Sequence, residues 1–146
     1  MAVRDPAAGA GLLRDVLGAE FLYGADDVAH GFRFVQYRLP AGGKLELVTP
    51  LGDGFLSRFL ATHGEGLHHV TLTVDDLAGQ VDRLEAGGIH PVLMDLSDPD
   101  WMEAFLHPRD AHGVLVQLAE TPHDDYATAA HLAGRFPEAT LLAGGG

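Results

Sequence analysis

The chain has 146 residues, 47% of them hydrophobic, with 21 acidic and 9 basic side chains for a formal net charge of −12, and no cysteine. That length holds one domain with a real core or two small modules sharing one. The composition excludes wholesale disorder, a disulfide framework, thiolate chemistry and a broad phosphate-binding surface, and no apolar run approaches the ~20 residues that span a bilayer. The opening residues carry no secretory signal. The expected setting is the cytoplasm, with a small-molecule substrate and neither a nucleic-acid nor a membrane partner.

In chain order, "MAV" reads as the end of a strand. Asp5 caps a helix that has Pro6 at its first position, a favoured placing. Leu13, Val16 and Leu17 give that helix its apolar face, and Gly18 stops it. "EFLY", "FRFVQYRL" and "KLELV" read as three strands. Residues 54–64, "GFLSRFLATHG", form a linking helix with Phe55 and Phe59 one turn apart. "GLHHVTLTVDD" then reads as a strand, whose side chains alternate between faces. His69, Thr71 and Thr73 make a polar face. His68, Val70, Leu72 and Val74 make the other, which is expected to pack on the core. A regular strand therefore keeps the two histidines apart and puts His69 at the mouth of a wet concavity.

Asp75 is the expected N-cap of the next helix, with Leu77, Val81 and Leu84 on one face and Gly87 and Gly88 at its end. "HPVLM", "EAFLHP" (103–108) and "VLVQLAE" (114–120) follow as strands, joined by "LSDPDWM" and the turn "RDAHG". Residues 124–136 suggest a weak helix, and "LLAGGG" a frayed end. His63, His90, His112, His123 and His131 have no convergent partners in the sequence and read as surface residues.

The two halves align at one offset. Val3 maps to Val74, Asp5 to Asp76, Leu13 to Leu84, Phe34 to Phe105 and Glu46 to Gln117. This is a tandem β-α-β-β-β unit, so the fold class is α+β. Module one spans 1–53, the linking helix 54–64, module two 65–123, and a tail runs over 124–146. Each module presents an open sheet, and a homodimer is expected.

Glu46 and Gln117 interrupt apolar strands at equivalent positions. Burying either group costs roughly 1–3 kcal/mol unless it is paired. An oxygen ligated to a metal satisfies it, and so does a hydrogen-bond network; for Glu46 that includes pairing with Lys44 or an arginine. The counterpart of His69 at the same offset falls ahead of Met1.

"GEGLHHVTLTVDDL", "GGKLELVTPLG" and "AFLHPRDAHGVLVQLAE" resemble the vicinal oxygen chelate superfamily, and within it the methylmalonyl-CoA epimerases and glyoxalase-related proteins. The resemblance covers the chain to about Glu120. It implies paired modules forming a half-open, cup-shaped mixed sheet, helices outside, around a divalent metal held by Glu46, His69 and Gln117. Such mixed oxygen and nitrogen donors suit Mn²⁺, Co²⁺, Fe²⁺, Zn²⁺ or Ni²⁺.

The resemblance also implies a first-strand histidine that this sequence lacks. A start further upstream, completion by His30 or water, and loss of the metal are the three explanations. Gln117 stands where a glutamate is usual, and it cannot move a proton at neutral pH. "DDVAHGFRF" lacks the acidic residue of the epimerases, leaving His30 as a replacement base beside Glu46. Thr71, His107 and Arg109 are read as substrate contacts.

The implied function is metal-assisted stabilisation of an enolate-type oxyanion, with isomerase, lyase and dioxygenase outcomes open. The alternatives are a metal-free module of the same fold that sequesters a small ligand, as resistance proteins do, and an inactive structural subunit.

Overall fold

The structure, a computed structural model, describes residues 1–135. It divides into two compact units. The first holds Met1–Gly66 with the segment from Asp125, and the second holds Leu67–Asp124. The break between the units falls between 66 and 67, and Asp124 belongs to the second.

In the first unit, Asp5 accepts from the Ala7 N–H at 2.9 Å and starts helix α1 (Pro6–Gly11). The helix continues as a π-type turn over Leu12–Val16, with Leu17 N–H donating to Leu12 O. That wider turn breaks the expected apolar stripe. Leu13 is buried, whereas Val16 and Leu17 are exposed.

Strands β1 (Glu20–Asp27), β2 (Phe32–Arg38) and β3 (Lys44–Pro50) form an antiparallel meander. The β2–β3 reversal runs through Gly42 and Gly43 at φ 96° and 83°, a left-handed pair that residues with a Cβ avoid. The predicted first strand is one residue long. Ala2 bridges Val48 in parallel and Gly66 in antiparallel fashion.

Both faces of this sheet are packed. Val3, Leu13, Ala19, Val35, Tyr37 and Leu47 fill one. Tyr23, Ala25, Phe34 and Val48 on the other meet α2 (Phe55–His63) through Leu56 and Leu60. They also meet α4 (Asp125–Arg135) through Ala129 and Leu132. The phenylalanines of α2 are not its buried stripe. Leu56 and Leu60, at the same spacing one residue on, take that role, while Phe55 is exposed and Phe59 stacks on His63. The end of the expected 124–136 helix and the "LLAGGG" segment lie outside the described residues.

In the second unit, β4 (His69–Thr73) pairs in parallel with β7 (Leu115–Glu120), which pairs antiparallel with β6 (Met102–Leu106) and then β5 (Leu93–Asp95), in the order β4-β7-β6-β5. Helix α3 (Leu77–Ala86) is capped by Asp76, whose carboxylate accepts from Gly79 N–H at 2.9 Å. The expected cap, Asp75, is one residue early. The offset that maps Asp5 to position 76 marks the true one.

Leu77, Val81, Ala104 and Leu118 make this unit's core, with Val74, Leu84, Met102 and Val116 at its margin. Val70 and Leu72 were expected in that core and are exposed instead. β4 is at the end of the strand order, and α3 packs on β6 and β7. Among the described residues no helix is long and apolar enough to cross a membrane.

Candidate functional site

Strand pairing assembles a polar row in each unit. In the first, Tyr23, Gln36 and Glu46 stand opposite one another across β1, β2 and β3. Gln36 is buried and donates from Nε2 to Glu46 Oε2 at 2.7 Å. Glu46 itself is half-buried. Burial pushes the Tyr23 phenol above its ordinary range, and its hydroxyl donates to Leu132 O at 3.4 Å. The row lies on the face where α2 and α4 pack, because Phe34 and Val48 of that core cluster are two residues along the same strands.

In the second unit, Thr71 stands opposite Gln117, and Gln117 opposite Phe105. Thr71 Oγ1 donates to Gln117 Oε1 at 2.7 Å, and Gln117 Nε2 donates to Glu103 Oε2 at 2.7 Å. Trp101 Nε1 donates to the same Glu103 oxygen at 2.8 Å. Gln117 is thus hydrogen-bonded at both its oxygen and its nitrogen. The row faces away from α3, since Val116, Leu118 and Ala104, which alternate with it, fill the α3 core.

His69 opens β4 on the same face as Thr71, diagonal to Gln117. The expected separation of the two histidines does not hold. His68 precedes the strand, so alternation does not govern it, and its Nδ1 lies 3.1 Å from His69 Nδ1. One ring donates the proton that the other accepts, with the ring planes nearly perpendicular at 86°. Both imidazoles are half-buried.

The remaining predicted residues lie elsewhere. His30 sits in the β1–β2 turn, and its exposed ring is tied to buried Asp27: Nδ1 lies 2.8 Å from Oδ2, and the His30 N–H donates to Oδ1 at 3.0 Å. The Asp27 row is four residues along β2 from the Gln36 row, about 13 Å at strand rise. His107 caps the turn over Pro108–Asp110 by accepting from Arg109 N–H at 3.1 Å, and Arg109 pairs with Asp110. His123, expected at the surface, is half-buried with Nε2 3.2 Å from Asp100 Oδ1.

Gln36, Asp27, Glu103 and Trp101 escaped the sequence reading. Gln36 shares its strand face with Phe32 and Phe34, which was a signal for it, whereas Glu103 stands near a strand end. A cavity of about 260 Å³ lies at the opposite end of β4 from His69, lined by Thr73, Asp75, Pro99, Glu120 and Pro122 among others.

Comparison with known proteins adds a family. A model described as Glyoxalase/Bleomycin resistance protein/Dioxygenase superfamily matches residues 1–105. The ethylmalonyl-CoA/methylmalonyl-CoA epimerase of Cereibacter sphaeroides is 34% identical over 127 residues, which cover 82% of this chain and 92% of that one. The mitochondrial methylmalonyl-CoA epimerase of Mus musculus is 35% identical over 128 residues, 82% of this chain and 69% of that one. The crystal structure of methylmalonyl-CoA epimerase from Mycobacterium tuberculosis superposes with a TM-score of 0.74 at 26% identity, covering 88% of this chain and 87% of that one. The α+β architecture of open mixed sheets with helices agrees with that neighbour.

Proposed function

The chain belongs to the Glyoxalase/Bleomycin resistance protein/Dioxygenase superfamily, and from that premise we propose that it catalyses carbon-acid chemistry on a small acyl thioester of coenzyme A. The relatives are named for epimerising ethylmalonyl-CoA and methylmalonyl-CoA, so the reaction class is proton removal and return at the carbon next to the thioester carbonyl. The structural observation behind the reading is the polar face of the second unit, where His69, Thr71 and Gln117 stand clear of the α3 core.

Glu46, His69 and Gln117 are the proposed metal-holding residues. A carboxylate oxygen, an imidazole nitrogen and an amide oxygen suit a divalent first-row ion. Position 117 fits because its oxygen is presented toward β4 and keeps a second lone pair beside the Thr71 bond. When bound, such an ion supplies Lewis-acid stabilisation of the enolate oxygen.

His30, whose Asp27 partner stands about 13 Å along the strands from the row of Glu46, and Glu46 are the two proposed proton acceptors. Asp27 accepts at Nδ1, which places the proton there and leaves Nε2 with a lone pair. Neither Gln36 nor Gln117 can take a proton at neutral pH.

The test is deuterium incorporation from D₂O into methylmalonyl-CoA, followed by NMR with Mn²⁺ or Co²⁺ present. Wild type is expected to exchange. His69→Ala is expected to lose metal and exchange together, and His30→Ala to lose exchange while keeping metal. Absence of exchange in metal-loaded wild type overturns the reading.

A metal-free ligand-binding module is the second reading, favoured by one observation: Gln117 is already hydrogen-bonded at its oxygen by Thr71 and at its nitrogen by Glu103, which Trp101 also engages. It predicts a rise in melting temperature with a coenzyme A thioester and no metal after reconstitution. A homodimer and a cytoplasmic setting are proposed on sequence grounds, and sedimentation of the purified chain tests the former.

A further inference from the structure

We infer that Glu103 is the positioning residue that decides which atom Gln117 shows to the β4 side of the second sheet. An amide presents either oxygen or NH₂, and only its neighbours choose. An ionised carboxylate can only accept. Glu103 on β6 therefore draws the Gln117 Nε2 toward itself, at 2.7 Å, and turns Oε1 toward Thr71, where it accepts at 2.7 Å. Trp101 Nε1 donates to that same Glu103 oxygen at 2.8 Å and fixes the carboxylate in turn. Every donor along this path points toward Glu103, so the whole row is oriented by that one carboxylate.

The first unit carries a similar pair with carboxylate and amide exchanged between the strands, its members directly opposite where Gln117 and Glu103 are diagonal. There the carboxylate is on β3 as Glu46 and the amide on β2 as Gln36, again joined from Nε2 to Oε2 at 2.7 Å. Positions 46 and 117 are the equivalent ones of the repeat. At one the oxygen comes from a carboxylate, and at the other from an amide that a neighbouring carboxylate has turned. The inference rests on the metal-holding reading of Gln117 for its consequence but not for its geometry.

The experiment uses the full chain, glutamine side chains labelled with ¹⁵N, and Co²⁺ titrated calorimetrically. In the metal-free wild type, the Gln117 side-chain amide is expected to exchange slowly with solvent. Glu103→Leu, which removes the acceptor, is expected to lose that protection and to weaken Co²⁺ binding about 10- to 100-fold, as loss of an outer partner does. Glu103→Gln is expected to keep the protection and to bind Co²⁺ more tightly than Glu103→Leu, because its amide oxygen can take both N–H groups. Unchanged protection in Glu103→Leu overturns the inference.

Wild type that binds no Co²⁺ yet loses amide protection in Glu103→Leu removes the metal reading and leaves the positioning role supported. Should Glu103→Leu fail to fold, the comparison of Gln117→Glu with the double change Gln117→Glu/Glu103→Gln carries the test. The double change restores an amide–carboxylate pair with its ends swapped, and it is expected to melt higher and bind Co²⁺ at least tenfold more tightly than the single one, in line with what an outer partner contributes. Equal behaviour of the two overturns the inference.

Discussion

The two sheets answer the same topology with different packing. The first has apolar clusters on both faces, one under α1 and one under α2 and α4. The second has a single cluster, between its sheet and α3, and turns a polar row the other way. In the first unit the polar pair Gln36–Glu46 sits at the border of a packed face, with Gln36 buried. In the second the matching pair is half-buried and extended by Thr71 and Trp101. Both units place one end of a carboxylate–amide bond at the equivalent positions 46 and 117, and the partner is directly opposite in the first sheet and diagonal in the second.

The largest expected effect tests how much rests on the second unit's one cluster. Leu77 is fully buried at its centre, and Leu77→Ala is expected to cost roughly 2–5 kcal/mol in urea unfolding. Leu56→Ala, in a first unit that has a second cluster in reserve, is expected to cost less. Equal costs would erase the contrast between the units.

Next come the two polar pairs. Gln36→Glu and Gln117→Glu each set a second carboxylate against the first, at an expected cost of roughly 1–3 kcal/mol, larger for buried Gln36. Two carboxylates that share a proton have one raised pKa. The deficit against wild type is therefore present above that pKa and shrinks as pH falls through it. Stability measured between pH 7 and 4 follows this directly.

The helix caps come third. Asp76→Ala is expected to cost about 1 kcal/mol and Asp5→Ala no more, because α1 passes at once into a π-type turn.

The smallest effect belongs to Arg33 and Asp26. They make a bidentate pair at 2.6 and 2.9 Å between β1 and β2. The hydrogen bonds from Arg33 hold the Asp26 carboxyl below its ordinary 3.8. That contribution is complete above the ordinary value and lost as pH falls through the lowered one. Asp26→Asn is expected to cost roughly 0.2–1 kcal/mol at neutral pH and nothing in strong acid. A Tm series across pH 7 to 2 reads the difference.

Much of this was legible in the chain. Turn glycines, the 3.6-residue spacing of Leu77, Val81 and Leu84, and the offset between halves located the elements and the pairs at 46 and 117. Register was not legible. The offset maps Phe34 to Phe105, yet Phe34 faces Val48 while Phe105 faces Gln117. The two hairpins differ by a two-residue slip, so Gln36 is what meets Glu46. Nothing local in "FRFVQYRL" fixes that, because a two-residue slip keeps every side chain on its own face. His68 was misplaced for a related reason: alternation assigns faces only inside a strand, and β4 starts one residue later. Glu103 was overlooked because a polar residue near a strand end reads as solvent-facing until its partner strand is known.

The parallel contacts have a kinetic consequence. Ala2 reaches Val48, and Leu72 reaches Leu118, so each closure encircles a stretch of the same length. The logarithmic part of the entropy for closing such a loop is about 3 kcal/mol, and no hairpin in either half asks as much. Antiparallel meanders should therefore zip early, and the parallel contact should be the last to lock in each half, held there by a lone bridge at Ala2 and by five paired residues in β4.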